Sequence, residues 1–316
     1  GAGTSQSAAL CATGITTPGA KTANSEEYNG TSWTEGDDVN TARNGIRGSG
    51  SQTEALCFGG FLTGPGPTTN KTEKYDGTTW SVSPATLGTA RHRHGESSTS
   101  GTAALAFGGQ TPPTTGVTEE YNSSTLATTA AAFASGGNLN TARQRAGGAG
   151  ADNTSALGFG GVIPSPARTG ATEVWNGTNW TEEGDLSTAR SQMGATGHSP
   201  ASSALAFGGG NPGGLANTEE WVGSGAPIGA WSTATALNTA RIRAGGAGTK
   251  ENALAFGGGP GAKNETEHYN GTNWTELNNL NTARSNLTGS GSYTSALAYG
   301  GSPGSKNETE TWNGTN

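Results

Sequence analysis

Arginine is the side chain whose spacing in this sequence most directly suggests chemistry. The 316-residue chain has eleven arginines, and ten of them lie in or just after six copies of the tripeptide Thr-Ala-Arg. The first arginines of the six copies are Arg43, Arg91, Arg143, Arg190, Arg241 and Arg284. A second arginine follows in four copies, at Arg47, Arg93, Arg145 and Arg243. Because a guanidinium group binds anions through paired hydrogen bonds, this clustering predicts either internal ion pairs or a site for an anionic ligand.

A glutamate recurs in step with the first arginines. The pattern Thr/Ser-Glu-x-Tyr/Trp occurs seven times, with its glutamate at Glu26, Glu73, Glu119, Glu173, Glu219, Glu267 and Glu310. This matched recurrence predicts that each first arginine forms a structural ion pair with one of these glutamates. The second arginines have no repeated partner. We therefore take Arg47, Arg93, Arg145 and Arg243 as candidate ligand-binding residues, with solvated surface charge as the alternative.

Two histidines, His92 and His94, stand in the stretch Arg-His-Arg-His. Two histidines at i and i+2 could share a metal ion, but neither cysteine is placed near them to complete such a site. Both join the candidate ligand-binding residues, with rim histidines as the alternative. The sequence has no Ser-His-Asp set, phosphate-binding loop or zinc-ligand spacing. It therefore predicts no catalytic centre, no cofactor and no metal site.

The amino-acid composition limits the kinds of partner that we expect this protein to bind. The net charge of −7 gives no general attraction to nucleic acid, and no apolar run approaches the roughly 18 residues that a membrane span requires. We therefore expect neither nucleic-acid binding nor membrane insertion. The sequence does not begin with Met, and we expect it to be a segment of a longer chain.

Internal repeats predict the elements that must position these residues. An apolar run closed by two glycines, such as Ala204–Gly209 (ALAFGG), recurs from Gly59 to Gly300 in five steps, a period of about 48 residues. Alternating apolar residues predict a strand before each glycine pair, and Asn-Gly or Asp-Gly predicts a tight hairpin between the third and fourth strands. Each repeat is thus a four-stranded antiparallel sheet, and innermost strands rich in Gly have no room for bulky side chains. Seven repeats predict an all-β, seven-bladed propeller as one domain over 1–316.

The repeats also resemble known families. A strand ending in Gly-Gly, then a Tyr, then a Trp about five residues later, at a period near 50 residues, resembles the kelch motif. That resemblance implies a kelch-type β-propeller in which Arg47, Arg93, Arg145 and Arg243 face a ligand at the channel mouth. The stretches ALAFGG, SEEYNGTSW (25–33) and LNTAR resemble kelch-like repeats of marine bacteriophage virion and tail-fibre proteins.

The last repeat is shorter than the others. Residues 287–316 include a third-strand pattern but no following tryptophan strand. We predict that this blade lacks its outer strand, and that an extension before Gly1 or after Asn316 would supply it.

Three hypotheses on function follow. The first is a non-enzymatic structural or recognition module of a phage virion or tail appendage, extracellular or virion-bound. Its partner would be a host-surface glycan or a neighbouring virion protein, and any oligomer would form through flanking regions. The second is a secreted propeller lectin or carbohydrate-active enzyme. The third is an adaptor domain that binds an acidic peptide.

Overall fold

The protein is built from β-strands. The computed structural model describes residues 2–5, 7–16, 19–62, 68–97, 100–111, 113–123, 132–150, 152–164, 167–196, 201–223, 229–304 and 306–315. These residues include no helix, and so none that is long and apolar enough to cross a membrane.

Seven antiparallel sheets follow one another along the chain, and we call them blades 1 to 7. The strands of blades 1 to 4 are β1 (Ala2–Ser5), β2 (Ala8–Ile15), β3 (Lys21–Tyr28), β4 (Trp33–Glu35), β5 (Arg47–Gly50), β6 (Ala55–Phe58), β7 (Thr72–Tyr75), β8 (Trp80–Val82), β9 (Gly95–Ser97), β10 (Ala103–Phe107), β11 (Thr118–Asn122), β12 (Ala132–Ser135), β13 (Gly147–Ala149), β14 (Ala156–Phe159), β15 (Thr172–Trp175) and β16 (Trp180–Glu182). Those of blades 5 to 7 are β17 (Gly194–Ala195), β18 (Ser203–Phe207), β19 (Thr218–Val222), β20 (Ala230–Ala234), β21 (Gly245–Gly248), β22 (Ala253–Phe256), β23 (Thr266–Tyr269), β24 (Trp274–Glu276), β25 (Thr288–Ser292), β26 (Ser295–Tyr299) and β27 (Thr309–Trp312).

Within each blade, strands adjacent in sequence are hydrogen-bonded neighbours. Blades 1 to 6 each have four strands, and blade 7 has the three strands β25, β26 and β27. This confirms the prediction of seven blades with an incomplete last one. It follows that every blade is a meander built from local pairings, which a 48-residue repeat with short turns dictates.

Glycine in the first strand makes room for an aromatic ring. In blade 5, a Cβ at Gly194 would lie 2.2 Å from the ring of Phe207 on the neighbouring strand. The same relation holds for Gly95, Gly147 and Gly245 with the phenylalanine of their own blades. The prediction that bulky side chains do not fit in these first strands is therefore confirmed, and its cause is a ring packed flat against the strand.

The third and fourth strands of blade 6 are joined by an asparagine-centred turn. Asn270 Oδ1 accepts hydrogen bonds from the backbone N–H groups of Thr272 (3.0 Å) and Asn273 (2.8 Å). The turn spans four residues, because Tyr269 pairs with Trp274. It is longer than the two-residue hairpin that Asn-Gly predicts, since the asparagine side chain caps the turn.

The chain comprises two compact units. The first is formed by Gly1–Gln144, Ala151–Ala156 and Trp175–Trp180, and the second by Arg145–Gly150, Leu157–Val174 and Thr181–Asn316. The first unit has apolar clusters around Phe58 and Phe107, and the second has clusters around Phe159, Phe207 and Phe256. Each cluster joins residues of consecutive blades. The small apolar faces of successive sheets therefore bury one another, which a single repeat could not do alone.

Candidate functional site

The first arginines of the Thr-Ala-Arg repeats are buried in ion pairs. We call each tripeptide, with the residues up to the next strand, a TAR turn. The pairs are Arg43–Glu73 (3.0 Å), Arg91–Glu119 (3.0 Å), Arg190–Glu219 (2.7 Å), Arg284–Glu310 (3.0 Å) and Arg241–Glu267. All five arginine side chains are fully buried. The predicted structural pairing is confirmed in these five turns; the corresponding Arg143 and Glu173 are also buried.

The buried Arg241 joins its TAR turn to the blades before and after it. The carbonyl of Arg241 accepts a hydrogen bond from the N–H of Gly209 in blade 5 (2.8 Å). Its guanidinium donates to Glu267 and to the carbonyl of Glu265 (2.8 Å), both in blade 6. Glu267 also accepts from the backbone N–H of Asn238 at the start of the turn (2.7 Å). The pair is therefore part of a hydrogen-bonded network that fixes the turn at both ends.

Burial lowers the pKa of Arg91 to about 10, against the opposing effect of the Glu119 charge. Burial likewise lowers the pKa values of Arg190, Arg241 and Arg284, each opposed by its glutamate. A pKa of about 10 leaves Arg91 charged at neutral pH. These arginines have their hydrogen-bonding groups turned inward, so they serve the fold and not a ligand.

The residue two positions after each first arginine has a left-handed backbone. These residues are Gly45, Arg93, Arg145, Gln192, Arg243 and Asn286, with φ between 53° and 63°. Non-glycine residues in this region carry strain of about 1–2 kcal/mol, which only the surrounding structure can hold. Gln192 and Asn286 are uncharged, so the arginine pattern did not point to them. The signal for them in the sequence was their constant distance from Arg190 and Arg284.

Backbone hydrogen bonds link these left-handed residues from turn to turn. In the second unit the N–H of Gln192 donates to the carbonyl of Arg145 (3.4 Å), that of Arg243 to Gln192 (3.0 Å), and that of Asn286 to Arg243 (3.1 Å). We call these four residues the 145–286 arc. In the first unit the N–H of Arg93 donates to the carbonyl of Gly45 (3.2 Å). The arc sets the guanidinium-bearing residues Arg145 and Arg243 on either side of Gln192.

The four candidate arginines differ in their surroundings. Arg47, Arg93 and Arg243 are exposed, and Arg145 is half-buried. Arg47 Nε donates to the carbonyl of His94 (2.8 Å), and Arg93 Nη1 donates to Gln110 Oε1 (3.3 Å). The first arginines of the same turns differ from them, because their side chains are buried beside the paired glutamates.

The two histidines are buried, which corrects the alternative that placed them at an exposed rim. His94 has no exposed surface and stacks on Phe58, with the ring centroids 5.3 Å apart. The ring centroids of His92 and Phe61 are 3.7 Å apart. Burial, with the nearby charges of Arg91 and Arg47, lowers the pKa of His94 to about 3. A neutral, enclosed imidazole brings no charge to an anion. A ligand-binding role for His92 and His94 stays a prediction.

The loops after the glycine pairs lie beside the TAR turns. Backbone bridges join Ser191 to Gly210, Ile242 to Gly259 and Ser285 to Ser302. The loops and the TAR turns therefore lie at the same ends of the strands. Polar backbone and side chains of the loops therefore border the 145–286 arc, which is suited to binding a small acidic group through guanidinium and amide donors.

Comparison with known proteins supports the fold. Neither the models of protein families nor the curated proteins give a match. Among solved structures the chain is similar to "Structure of YjhT", with a TM-score of 0.64 and 11% identity over 86% of this chain and 95% of that chain. At this identity the likeness concerns the fold alone. Together with the seven sheets it defines a seven-bladed β-propeller. In the part of the chain that the structure describes, no three His, Cys, Asp or Glu side chains form a group that could hold a metal ion.

Proposed function

We propose that the protein is a non-enzymatic recognition module that binds an acidic sugar of a host-cell surface through the 145–286 arc. The observation that supports this is the arc itself. Two arginines occupy left-handed positions that a glycine would hold with less strain, and Gly45 shows that the turn accepts glycine there. Strained residues of this kind recur at ligand-binding sites.

The charge distribution supports the same proposal. The chain carries a net charge of −7, yet its exposed arginines Arg47, Arg93 and Arg243 all lie in TAR turns or directly after one. The buried arginines of the same turns are neutralised by glutamate, so their charges offer little to a ligand. An anion is therefore attracted to the left-handed residues, which lie two positions after the buried arginines, and to the polar loops beside them.

The biological setting that we propose is a phage virion or tail appendage, outside the cell, built on a kelch-type propeller. It rests on the resemblance of the repeat phrases to kelch-like repeats of marine bacteriophage proteins. A neighbouring virion protein with a carboxylate-rich loop would offer the arc the same chemistry, and the experiment below separates the two partners.

The test is binding of the protein to immobilised oligosaccharides that contain sialic or uronic acid, beside their neutral counterparts. The double variant Arg145→Gln with Arg243→Gln keeps the turn, because Gln192 already occupies the equivalent left-handed position. We expect affinity for the acidic oligosaccharides to fall at least about tenfold, and wild-type binding to weaken with salt.

The matched control is the double variant Lys74→Gln with Lys250→Gln. It removes the same charge from partly buried residues that pair with Glu54 and Glu220. Equal loss in both double variants would mean that net charge alone drives binding. No binding to any acidic sugar, with retained binding to a carboxylate-rich peptide, would reject the glycan in favour of a protein partner. Measurable turnover of an oligosaccharide would contradict the non-enzymatic assignment.

A further inference from the structure

The dipeptide Asn-Gly occurs five times in this chain, and the structure gives its copies different surroundings. Asn29, Asn176 and Asn270 each begin the turn between the third and fourth strands of a blade, and all three are exposed. Asn44 lies in a TAR turn and is half-buried. The fifth copy begins at Asn313, and its turn continues outside the described residues. The first four copies therefore show one dipeptide in two environments.

Two backbone donors hold the side-chain oxygen in each of the three hairpin turns. Asn29 Oδ1 accepts from the N–H groups of Thr31 (2.9 Å) and Ser32 (3.0 Å). Asn176 Oδ1 accepts from the second and third residues after it, both at 2.9 Å, and Asn270 Oδ1 is bound in the same way. These donors polarise the side-chain carbonyl and stabilise negative charge that develops on its oxygen, as an oxyanion hole does.

The glycine nitrogen of each turn is available to react with this carbonyl. Within the part of the chain that the structure describes, the N–H groups of Gly30, Gly177 and Gly271 donate no hydrogen bond. The hydrogen bond from the second following residue to Oδ1 closes a small ring of atoms that contains both the glycine nitrogen and Cγ of the asparagine. Glycine has no side chain that could shield its nitrogen. A nucleophile and a polarised electrophile are therefore held together in one turn.

Asn44 has no such donors. Its Oδ1 is buried and, among the described residues, accepts no hydrogen bond. Its backbone N–H donates to the carbonyl of Phe61 (3.1 Å), and its own carbonyl accepts from the N–H of Phe61 (2.8 Å). The sequence gives Asn44 and Asn176 the same following residue, so only the structure separates them.

Blade 2 has an aspartate at the position of these asparagines. Asp76 Oδ1 accepts from the N–H groups of Thr78 (2.9 Å) and Thr79 (2.8 Å). The N–H groups of Thr79 and Thr78 lower the pKa of Asp76, because they stabilise its charged form. A carboxylate therefore fits this turn with the same hydrogen bonds that an asparagine makes there.

We propose that Asn29, Asn176 and Asn270 are sites of spontaneous deamidation, at which the folded turn promotes its own conversion to the aspartate turn of blade 2. The glycine N–H loses its proton to base, and the nitrogen forms a bond to Cγ. The bond from Cγ to Nδ2 then breaks, and Nδ2 leaves as ammonia with a proton from water. Water adds to the resulting cyclic imide, one imide C–N bond breaks, and the glycine nitrogen regains its proton.

The same two donors decide which isomer forms. Water can open the imide at Cγ, which restores the normal backbone as aspartate, or at the backbone carbonyl, which gives isoaspartate. Because the N–H groups hold the oxygen on Cγ, they favour attack there and hence aspartate. Three conversions, each adding one negative charge, take the net charge from −7 to −10. In each blade the added charge lies at the start of the fourth strand, at the opposite end from the TAR turn that follows it.

The experiment is incubation of the freshly purified protein in mildly alkaline buffer, folded and in urea, followed by protease digestion and mass spectrometry of each Asn-Gly peptide. In the folded protein we expect the three turn asparagines to convert at least about tenfold faster than Asn44, because a single oxyanion donor is worth about a hundredfold in enzymes. In urea the turns are lost, and the four rates should converge. Chromatographic separation of the isomers should show an excess of aspartate over isoaspartate that is present only in the folded protein.

Two variants test the turn itself. Asp76→Asn places a further asparagine between the same donors and should convert at the rate of Asn176. Asn176→Asp carries the product from the start and should leave the midpoint of thermal unfolding unchanged. Equal conversion of Asn44 and the turn asparagines in the folded protein, a difference that persists in urea, or an unreactive Asp76→Asn variant would each overturn the proposal. Absence of conversion at all three turns would do the same.

Discussion

Two arginines of one TAR turn, Arg241 and Arg243, are separated by a single residue and have opposite surroundings. Arg241 is fully buried and bound to Glu267, and its pKa is lowered by burial. Arg243 is exposed, and its left-handed backbone is hydrogen-bonded to Gln192 and Asn286. The difference teaches that the same side chain at neighbouring positions can hold the blades together or remain accessible to a ligand. Whether the arginine is buried beside a carboxylate, and not its residue type, decides which of these two roles it has.

The largest expected effect comes from replacing Arg241, the buried one of the two arginines. Arg241→Met leaves the Glu267 carboxylate buried without its cation, so we expect the free energy of unfolding to fall by about 3–5 kcal/mol. Arg243→Met removes an exposed charge and should change it by less than about 0.5 kcal/mol. Urea denaturation of both variants measures the difference.

A double variant sharpens the result. Adding Glu267→Leu to Arg241→Met removes the unpaired charge and should restore part of the lost stability. The recovery is incomplete because Glu267 also accepts from the N–H of Asn238. Similar, small effects of the two methionine variants would contradict the distinction between the two arginines.

The next effect concerns His94, a buried neutral residue beside the exposed Arg93. Its pKa is about 3 in the folded protein and about 6.5 in an unfolded chain, so the unfolded state gains a proton as pH falls below about 6.5. The neutral His94 therefore contributes fully to stability above that pH. As the pH falls toward 3, we expect the free energy of unfolding to decrease by up to about 1.4 kcal/mol for each pH unit.

Denaturation at pH 7 and pH 5 measures this effect. The control variant is His94→Met, because Met193 occupies the same position of another TAR turn. The variant should lose less stability than the wild type over this interval. An unchanged pH dependence would show that His94 titrates normally, and hence that it is accessible to a ligand after all.

The smallest effect isolates the backbone of the left-handed positions. A Cβ at Gly45 would meet only ordinary contacts, the nearest being His92 at 3.7 Å, so Gly45→Ala tests conformation and not space. We expect it to cost about 1–2 kcal/mol, whereas Arg243→Gly should be neutral or gain up to about 1 kcal/mol. Thermal unfolding of the two variants compares them; a stabilising Gly45→Ala would refute the strain at these positions.

The repeats were sufficient to predict the architecture and part of the network. Gly-Gly, Asn-Gly and the alternating strands are local signals, and each acts within a few residues of chain, so seven blades with an incomplete last blade followed from them. The pairing of Arg190 with Glu219 also followed, because both recur once in every period. The exposure of His92 and His94 did not follow, since it depends on Phe61 and Phe58, more than thirty residues away.

The sequence by itself thus determined the strands, the number of blades and the matching of arginine to glutamate, because these depend on local conformation and on a fixed period. The tertiary structure alone decided which arginines are buried, and that Gln192 and Asn286 continue the line of Arg145 and Arg243. The physical reason is that these properties arise where one blade packs on the next. There burial, desolvation and hydrogen bonding depend on groups some fifty residues apart, such as Thr218 and Trp274.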